Sequence, residues 1–162
     1  MLTIQETTAH DLPLVQGLWA RGDVMRFVGF PDGLAQTDAQ MRDWLRRIED
    51  ARPGTNHYSI FEDGVYCGET FYRIDPAHGL AAAMDIKLLP AARGRGIATQ
   101  ALAFAIREAF AHGAKSVWVD PNPQNEKALA LYARLGFARR PMPEYLAGEE
   151  SAGAVYMELA RA

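Results

Sequence analysis

Residues 88–100 read Leu-Leu-Pro-Ala-Ala-Arg-Gly-Arg-Gly-Ile-Ala-Thr-Gln, and this stretch decides how the rest of the chain is organised. It joins the end of an apolar strand, a glycine-rich turn and the start of a helix. Gly94 and Gly96 can adopt backbone conformations closed to other residues, so successive N–H groups can converge on one anion. The helix that follows adds unpaired N–H groups and the positive end of its dipole, and Arg93 and Arg95 add formal charge. The stretch therefore predicts a phosphate-binding loop.

Two common phosphate-binding motifs do not fit this loop. No lysine followed by serine or threonine comes after the second glycine, which excludes a P-loop, and the three-glycine fingerprint of dinucleotide-binding folds is incomplete. An ordinary glycine-rich turn between a strand and a helix explains residues 93–98 nearly as well as a phosphate site does. The downstream sequence has to distinguish these two interpretations.

The composition is that of an ordinary soluble protein, and we expect residues 1–162 to form one domain. The net charge of −3 provides no basic field that would hold nucleic acid or an anionic membrane. Cys67 is the single cysteine and the four histidines are scattered, so we expect neither a disulfide nor a metal site. The sequence shows no signal peptide and no apolar run of membrane-spanning length, so we expect a cytoplasmic protein.

Hydrophobic periodicity and turn signals predict strands and helices along the whole chain. The predicted elements are a strand at 2–7, helices at 11–21 and 37–50, a meander of strands at 57–62, 65–75 and 80–89, a helix at 97–112, a strand at 116–120, a helix at 125–135 and a last strand at 154–159. Segment 22–36 is irregular and rich in aromatic residues, so it either lines a substrate cleft or packs against the domain.

The strand at 65–75 and the elements after it indicate the sheet arrangement. Alternation places Cys67 and Glu69 on one face of this strand and Tyr66 and Thr70 on the other. A lone strand cysteine without a nearby base is usually a small buried hydrophobe, and we interpret Cys67 in this way. The later strand, crossover helix and strand form a βαβ unit, which puts the glycine loop at the carboxyl end of its strand. A mixed sheet with helices on both faces follows.

A second motif lies at residues 125–137, which read Asn-Glu-Lys-Ala-Leu-Ala-Leu-Tyr-Ala-Arg-Leu-Gly-Phe. Together with Arg-x-x-Gly-x-Ala at 93–98, it resembles the two signatures of the GNAT superfamily of N-acetyltransferases, in the right order. The resemblance covers most of the chain. It implies an α/β (α+β) fold with a mixed, mostly antiparallel sheet, a central parallel pair of strands that splay apart, and helices on both faces. It also implies acetyl-CoA as the co-substrate.

The resemblance assigns several residues to acetyl-CoA. The pyrophosphate falls on the glycine loop, and the amide-rich pantetheine arm pairs with the edge of the preceding strand like an additional strand. A backbone N–H near Leu88 then serves as an oxyanion donor. Asn125 is placed to hydrogen-bond the cofactor, although it is equally suited to cap its own helix. The cofactor-binding residues implied are Ile86, Lys87, Leu88, Arg93, Gly94, Arg95, Gly96, Ile97, Ala98, Asn125 and Tyr132.

Acetyl transfer to an amine requires a base and an acid. An alkylamine has a pKa of ~10, so it is almost entirely protonated at neutral pH and must lose a proton before it attacks. Tyr132 matches the tyrosine that protonates the departing CoA thiolate in many members of the superfamily, although it could instead pack its helix on the sheet. The candidate bases are Asp85, on the strand before the loop, and Asp120, after the adjacent strand. Asp120 could equally be a turn residue before Pro121.

Resemblance to one subgroup indicates the acceptor. Residues 119–125 and 154–157 look similar to the aminoglycoside 6′-N-acetyltransferases, in which aspartates at comparable places receive a cationic amino sugar. We therefore expect a small aminoglycoside-like or polyamine-like acceptor that attacks directly. Further carboxylates could extend the acidic field, namely Glu69, Glu144, Glu149 and Glu150. The alternatives are an enzyme that acetylates protein N-termini, particularly ribosomal ones, and a non-catalytic acyl-CoA-binding regulator. Both a monomer and a homodimer remain open.

Overall fold

The computed structural model describes residues 1–148 and 153–162, which contain a seven-stranded sheet. The strands are β1 (Leu2–Glu6), β2 (Thr55–Glu62), β3 (Val65–Asp75), β4 (Ala81–Leu88), β5 (Ser116–Val119), β6 (Ala138–Arg139) and β7 (Met157–Ala160). The helices are α1 (Leu12–Trp19), α2 (Gly22–Met25), α3 (Asp38–Ala51), α4 (Ile97–Ala111) and α5 (Glu126–Arg134). The strand order in the sheet is β1-β2-β3-β4-β5-β7-β6.

The central strands β4 and β5 form the parallel pair in this otherwise antiparallel sheet. Their pairing begins at Ala81 with Ser116 and ends at Ala83 with Trp118, whereas β4 continues to Leu88. The two strands therefore part at a point where β4 still has five residues to run. This arrangement confirms the predicted fold class, including the splayed parallel pair.

The two faces of the sheet carry different helices. Helix α4 packs on β3 and β4, where Leu102 and Ala105 join buried strand residues such as Tyr72 and Val117. Helices α1 and α3 cover the opposite face, with a core cluster of their own. That cluster consists of Leu12, Val15, Met41 and Leu45, with Trp19 and Trp44 packed against it. The apolar stripes predicted for both helices are thus buried as expected.

A β-bulge in β3 overturns the alternation predicted for that strand. Ile60 pairs with Gly68 and Phe61 pairs with Tyr66, so Cys67 is an extra residue without a partner on β2. Cys67 is buried with Ile60 on the α4 face, whereas Glu69 bonds to Trp19 of α1 on the other face. The prediction that Cys67 and Glu69 share a face was wrong, because one inserted residue reverses the alternation. The interpretation of Cys67 as a core residue is confirmed.

Several element boundaries differ from the prediction by a few residues. The last strand begins at Met157 rather than 154, because the Val155 N–H bonds to the Pro121 carbonyl and not to a neighbouring strand. The segment 22–36, predicted to be irregular, contains α2 and a short 3-10 turn. Residues 149–152, which include the candidate carboxylates Glu149 and Glu150, lie outside the described part of the chain. None of the helices that the structure describes is long and apolar enough to cross a membrane.

Candidate active site

The glycine loop has the backbone conformation that an anion site requires. Gly94 and Gly96 have φ angles of 76° and 78°, in the left-handed region that other residues disfavour, and Gly96 is the N-cap of α4. A Cβ built on either glycine would meet no atom within 4 Å. Glycine is therefore needed here for its conformation and leaves open space in front of the helix.

The N–H groups of this loop are available to a ligand. Those of residues 94–99 find no hydrogen-bond acceptor within residues 1–148 and 153–162, and the first N–H to close the helix is that of Gln100, on Gly96. Six consecutive backbone donors at the positive end of a 15-residue helix form a cradle for an anionic group. The loop thus fits the pyrophosphate of acetyl-CoA on its own geometry.

The two arginines of the loop already have protein partners. The Arg93 guanidinium donates to the Leu88 carbonyl at 3.1 Å and to the Asp23 carbonyl at 3.1 Å, so it ties the end of β4 to α2. Arg95 donates to Glu62 at 2.8 Å. In this structure Arg93 holds the loop in place rather than pointing at the space before α4, and its direct contact with the cofactor stays a prediction.

The edge of β4 presents free backbone groups where β5 turns away. The Leu80 carbonyl accepts from Lys115 ahead of β5, and the Leu89 N–H donates to Cys67 on β3, so even-numbered residues of β4 direct their backbone groups towards β5. The Ile86 N–H is taken by the Asp85 carboxylate at 2.8 Å. The Leu88 N–H has no acceptor among the described residues and faces the gap. It is the predicted oxyanion donor.

Tyr132, on α5, carries a hydroxyl that is ready to donate. Its side chain is only 3% exposed and packs against Phe137, yet the hydroxyl has no hydrogen bond within the described residues and is not fully enclosed. Burial and the charges of Asp85 and Asp120 raise the pKa of Tyr132 well above its usual value. The phenol therefore stays protonated at neutral pH.

Asp85 and Asp120 meet at the splay of β4 and β5. Partial burial and the Asp85 charge raise the pKa of the Asp120 carboxyl, although its side chain remains accessible to solvent. The Asp85 carboxylate is 2.5 Å from the Lys87 ammonium. The structure thus brings together the three predicted catalytic residues. Asp120 is the better placed of the two candidate bases, because its carboxylate has no cationic partner among the described residues, whereas that of Asp85 is paired with Lys87.

Asn125 performs the capping role that was one of its two interpretations. Its side-chain oxygen accepts the Ala128 N–H at 3.3 Å at the start of α5. The amide nitrogen of the same side chain makes no hydrogen bond within the described residues, so its predicted contact with the cofactor stays a prediction.

A pocket on the α1 and α3 face was not predicted from the sequence. It has a volume of about 310 Å³ and lies between the sheet and helices α1, α2 and α3. Its apolar wall consists of Trp19, Met25, Leu34, Trp44, Ile48 and Phe71. The segment 22–36 contributes Met25 and Leu34 to this wall, and its interpretation as one wall of a substrate cleft stays a prediction.

The floor of this pocket contains a buried hydrogen-bond chain. Glu69 accepts from the Trp19 indole N–H and lies 2.9 Å from the His57 Nε2, and His57 Nδ1 bonds to Thr7 at 2.7 Å. Burial opposes the charge of Glu69, but His57 and Lys87 hold the pKa of this carboxyl at about 2. Glu69 is therefore an anion whose two carboxylate oxygens are hydrogen-bonded to Trp19 and His57. We expected Glu69 to add to the acidic field that attracts the acceptor, but its charge is paired inside the protein. Among the described residues, no three His, Cys, Asp or Glu side chains form a metal site.

Comparison with known proteins identifies the class that this fold and site define. Residues 24–137 match the acetyltransferase (GNAT) family, so the chain belongs to that family. A curated N-alpha-acetyltransferase from Arabidopsis thaliana is 41% identical over 61 residues, which are 36% of this chain and 32% of that protein.

Solved structures show the same fold. An acetyltransferase of the GNAT family from Streptococcus pneumoniae superposes with a TM-score of 0.82 and 20% identity, over 100% of both chains. An aminoglycoside acetyltransferase in complex with coenzyme A superposes with a TM-score of 0.75 and 21% identity, over 99% of this chain and 95% of that one. The acceptors in these names differ, so the family does not determine the acceptor of this chain.

Proposed function

We propose that this chain transfers the acetyl group of acetyl-CoA to the primary amine of a small molecule. The observation that carries the proposal is the Tyr132 hydroxyl, which has no hydrogen bond among the described residues and lies near Asp85 and Asp120, at the gap between β4 and β5. An acid and a base at one strand splay are the two groups that amide formation from an ammonium and a thioester requires. A merely structural tyrosine would not need a free hydroxyl there.

The residues around the gap fit acetyl-CoA. The loop would hold the pyrophosphate through the N–H groups of residues 94–99. At the edge of β4 the Ile86 N–H is taken by Asp85 and the Leu88 carbonyl by Arg93, so the Ile86 carbonyl would accept from a pantetheine amide and the Leu88 N–H would face the thioester carbonyl. Lys87 is odd-numbered, so its backbone groups face β3, and its side chain lies in the pocket and pairs with Asp85. Its expected contact with the cofactor stays a prediction. Tyr132, near Asp85 and Asp120, and Asn125, the N-cap of the same helix, would contact the cofactor from α5.

In the proposed acetyl transfer, Asp120 acts as the base and Tyr132 as the acid. Asp120 takes a proton from the acceptor ammonium, and the nitrogen lone pair attacks the thioester carbon. The Leu88 N–H stabilises the negative charge that develops on the carbonyl oxygen. The C–S bond breaks with its electron pair on sulfur, and Tyr132 gives that thiolate a proton. The amine cation loses two protons, one to Asp120 before the attack and one from its nitrogen as the tetrahedral intermediate collapses, whereas the thiolate gains one from Tyr132. One proton is therefore released to solvent in each turnover, and proton exchange returns Asp120 to its anion and Tyr132 to its phenol.

The acceptor amine is held by charge in this proposal. Asp120 and Asp85 attract a protonated amine, in line with the aminoglycoside-like or polyamine-like acceptor expected from the sequence. Glu69 is withdrawn into the buried chain, Glu144 is exposed, and Glu149 and Glu150 lie outside the described residues. The support for an acidic field is therefore confined to the two aspartates, which suits one amine better than a polycation. We also infer a cytoplasmic location, which the single buried thiol favours.

A second candidate is acetylation of protein N-termini. It is favoured by the partial match to a curated N-alpha-acetyltransferase. Thiol release from acetyl-CoA across a panel of polyamines, aminoglycosides, amino acids and peptides would separate the two. Turnover confined to peptide N-termini would establish the second candidate. Tight acetyl-CoA binding without turnover on any amine would overturn both and leave a non-catalytic acyl-CoA-binding protein.

A further inference from the structure

The pocket on the α1 and α3 face lies beside Asp85, one of the two candidate bases. Phe71 lines the pocket and is the register partner of Asp85 on the adjacent strand. Lys87 also lines it and forms the 2.5 Å ion pair with Asp85. A group bound in this pocket is therefore a neighbour of the chemistry, so the pocket is suited to hold the acceptor rather than the cofactor.

The pocket is small and aromatic. Its volume of about 310 Å³ is at the lower end of the range for small-molecule sites. Trp19 and Trp44 meet edge to face with ring centroids 4.9 Å apart, and Phe71 forms the floor opposite them. Such walls stabilise one aromatic or large apolar group and leave the hydroxyls of a sugar without partners.

Of the charged side chains that line the pocket, some are paired within the protein and one is not. Glu69 is bonded to Trp19 and His57, and Lys87 is paired with Asp85. Arg73 is exposed at the pocket and has no hydrogen bond or ion pair within residues 1–148 and 153–162. The remaining uncompensated charge of the lining is therefore positive.

Asp75, two residues after Arg73 on β3, does not fully neutralise the charge of the Arg73 guanidinium. The Asp75 carboxylate accepts from His78 Nδ1 at 2.7 Å and from the Ala77 N–H at 2.9 Å, which bends it into the following turn. An anionic group on the acceptor would thus find Arg73 available while its amine lies on the Asp85 side of Phe71.

We propose that the acceptor is a carboxylate-bearing amine with an aromatic or large apolar side chain, that is, an α-amino acid or a close analogue. The proposal rests on the proposed acetyltransferase function and deepens it. The side chain occupies the space between Trp19, Trp44 and Phe71, the carboxylate pairs with Arg73, and the amine faces Asp85 and Asp120. One positive contact and one negative contact beside an apolar pocket match a zwitterion and disfavour a polycation.

The test compares L-phenylalanine with L-phenylalaninamide, which differ in the carboxylate. For wild type we expect a kcat/KM at least tenfold higher for phenylalanine. In Arg73→Gln, the kcat/KM for phenylalanine should fall roughly tenfold while that for the amide changes less than twofold, since one charge-assisted hydrogen bond contributes about that much. Comparing the ratio in wild type and variant cancels the different intrinsic reactivities of the two amines. Arg47→Gln, an exposed arginine on the outer side of α3, is the matched control and should change neither acceptor.

A second variant tests the apolar wall separately. Trp44→Ala should abolish the preference for phenylalanine over glycine, which retains the carboxylate, and its thermal unfolding is recorded to show that it folds. An unchanged phenylalanine-to-amide ratio in Arg73→Gln would overturn the proposal, as would efficient turnover of polyamines with amino acids ignored. Both of those results leave the acetyltransferase function standing. Absence of thiol release with every amine would instead overturn the proposed function itself.

Discussion

The cofactor loop and the acceptor pocket lie on opposite sides of one sheet and are built in opposite ways. The loop consists of backbone N–H groups that the φ angles of Gly94 and Gly96 arrange, and Arg93 and Arg95 fasten it to α2 and β2. The pocket consists of side chains from α1, α2, α3, β3 and β4, brought together by the sheet register. A backbone site tolerates varied side chains but not a changed φ angle, whereas a side-chain pocket can change its ligand with one substitution. This difference explains how one family can keep a donor and vary its acceptors.

The largest effect should come from Gly96→Val. The substituted residue would need a φ angle of 78°, which a β-branched residue avoids, so the cradle would be deformed. Losing two charge-assisted hydrogen bonds at ~2 kcal/mol each weakens acetyl-CoA binding roughly 10³-fold. Calorimetry measures this. Gly79→Val, at a φ of 69° in open space away from the loop, carries the same strain and should leave binding intact. Unchanged binding in Gly96→Val would refute the cradle.

The next effect should come from Tyr132→Phe, which removes one hydroxyl and keeps the buried ring. We expect kcat to fall about 10²-fold with little change in the KM for acetyl-CoA, the usual scale for losing a general acid. Steady-state kinetics on any accepted amine measure it. Tyr66→Phe is the matched control, because its hydroxyl is buried without a partner in the described part of the chain. That variant should keep full activity, and full activity in Tyr132→Phe would return Tyr132 to a packing role.

Glu69→Gln tests the side-chain architecture through stability. Removing one member of a buried pair should lower the free energy of unfolding by about 2 kcal/mol. The pKa of Glu69 is depressed from 4.5 to about 2, so its charge stabilises the fold above pH 4.5 and this contribution is lost as the pH falls towards 2. The stability gap between wild type and Glu69→Gln should therefore be constant at neutral pH and shrink across that window. Urea titrations at several pH values measure it, and a gap independent of pH would contradict the charged state of Glu69.

The smallest effect should come from Asp120→Asn. We expect a roughly tenfold lower kcat/KM for the amine, because Asp85 remains nearby, with unchanged acetyl-CoA affinity. Since the pKa of Asp120 is raised and the base must be deprotonated, activity should be lost on acidification above the ordinary aspartate range. The KM of the acceptor should also rise with ionic strength in wild type and respond less in the variant. Equal salt dependence in both proteins would remove Asp120 from amine capture.

The local and long-range parts of the molecule differed in how far they could be predicted. Residues 93–98 carry their geometry within one turn and helix start, so the loop could be predicted from its own residues. The splayed strand pair and the candidate role of Tyr132 came from the family resemblance of the two motifs. The pocket could not be predicted from the sequence, because Trp44 and His57 come together, with ring centroids 4.7 Å apart, only after α3 has packed on β2. The ion pair between Asp85 and Lys87 could not be predicted either, because the alternation of side chains along a strand shows that two residues share a face but not that they are in contact.

The bulge in β3 also determines how reactive the Cys67 thiol is. Because the inserted residue is Cys67, the single sulfhydryl of the chain is turned into the core, where it is 1% exposed and where burial raises its pKa. A disulfide reagent that detects coenzyme A release will therefore find no competing reactivity on the folded enzyme. The same reagent will count one equivalent when the chain opens, so the molecule contains its own stoichiometric reporter of unfolding.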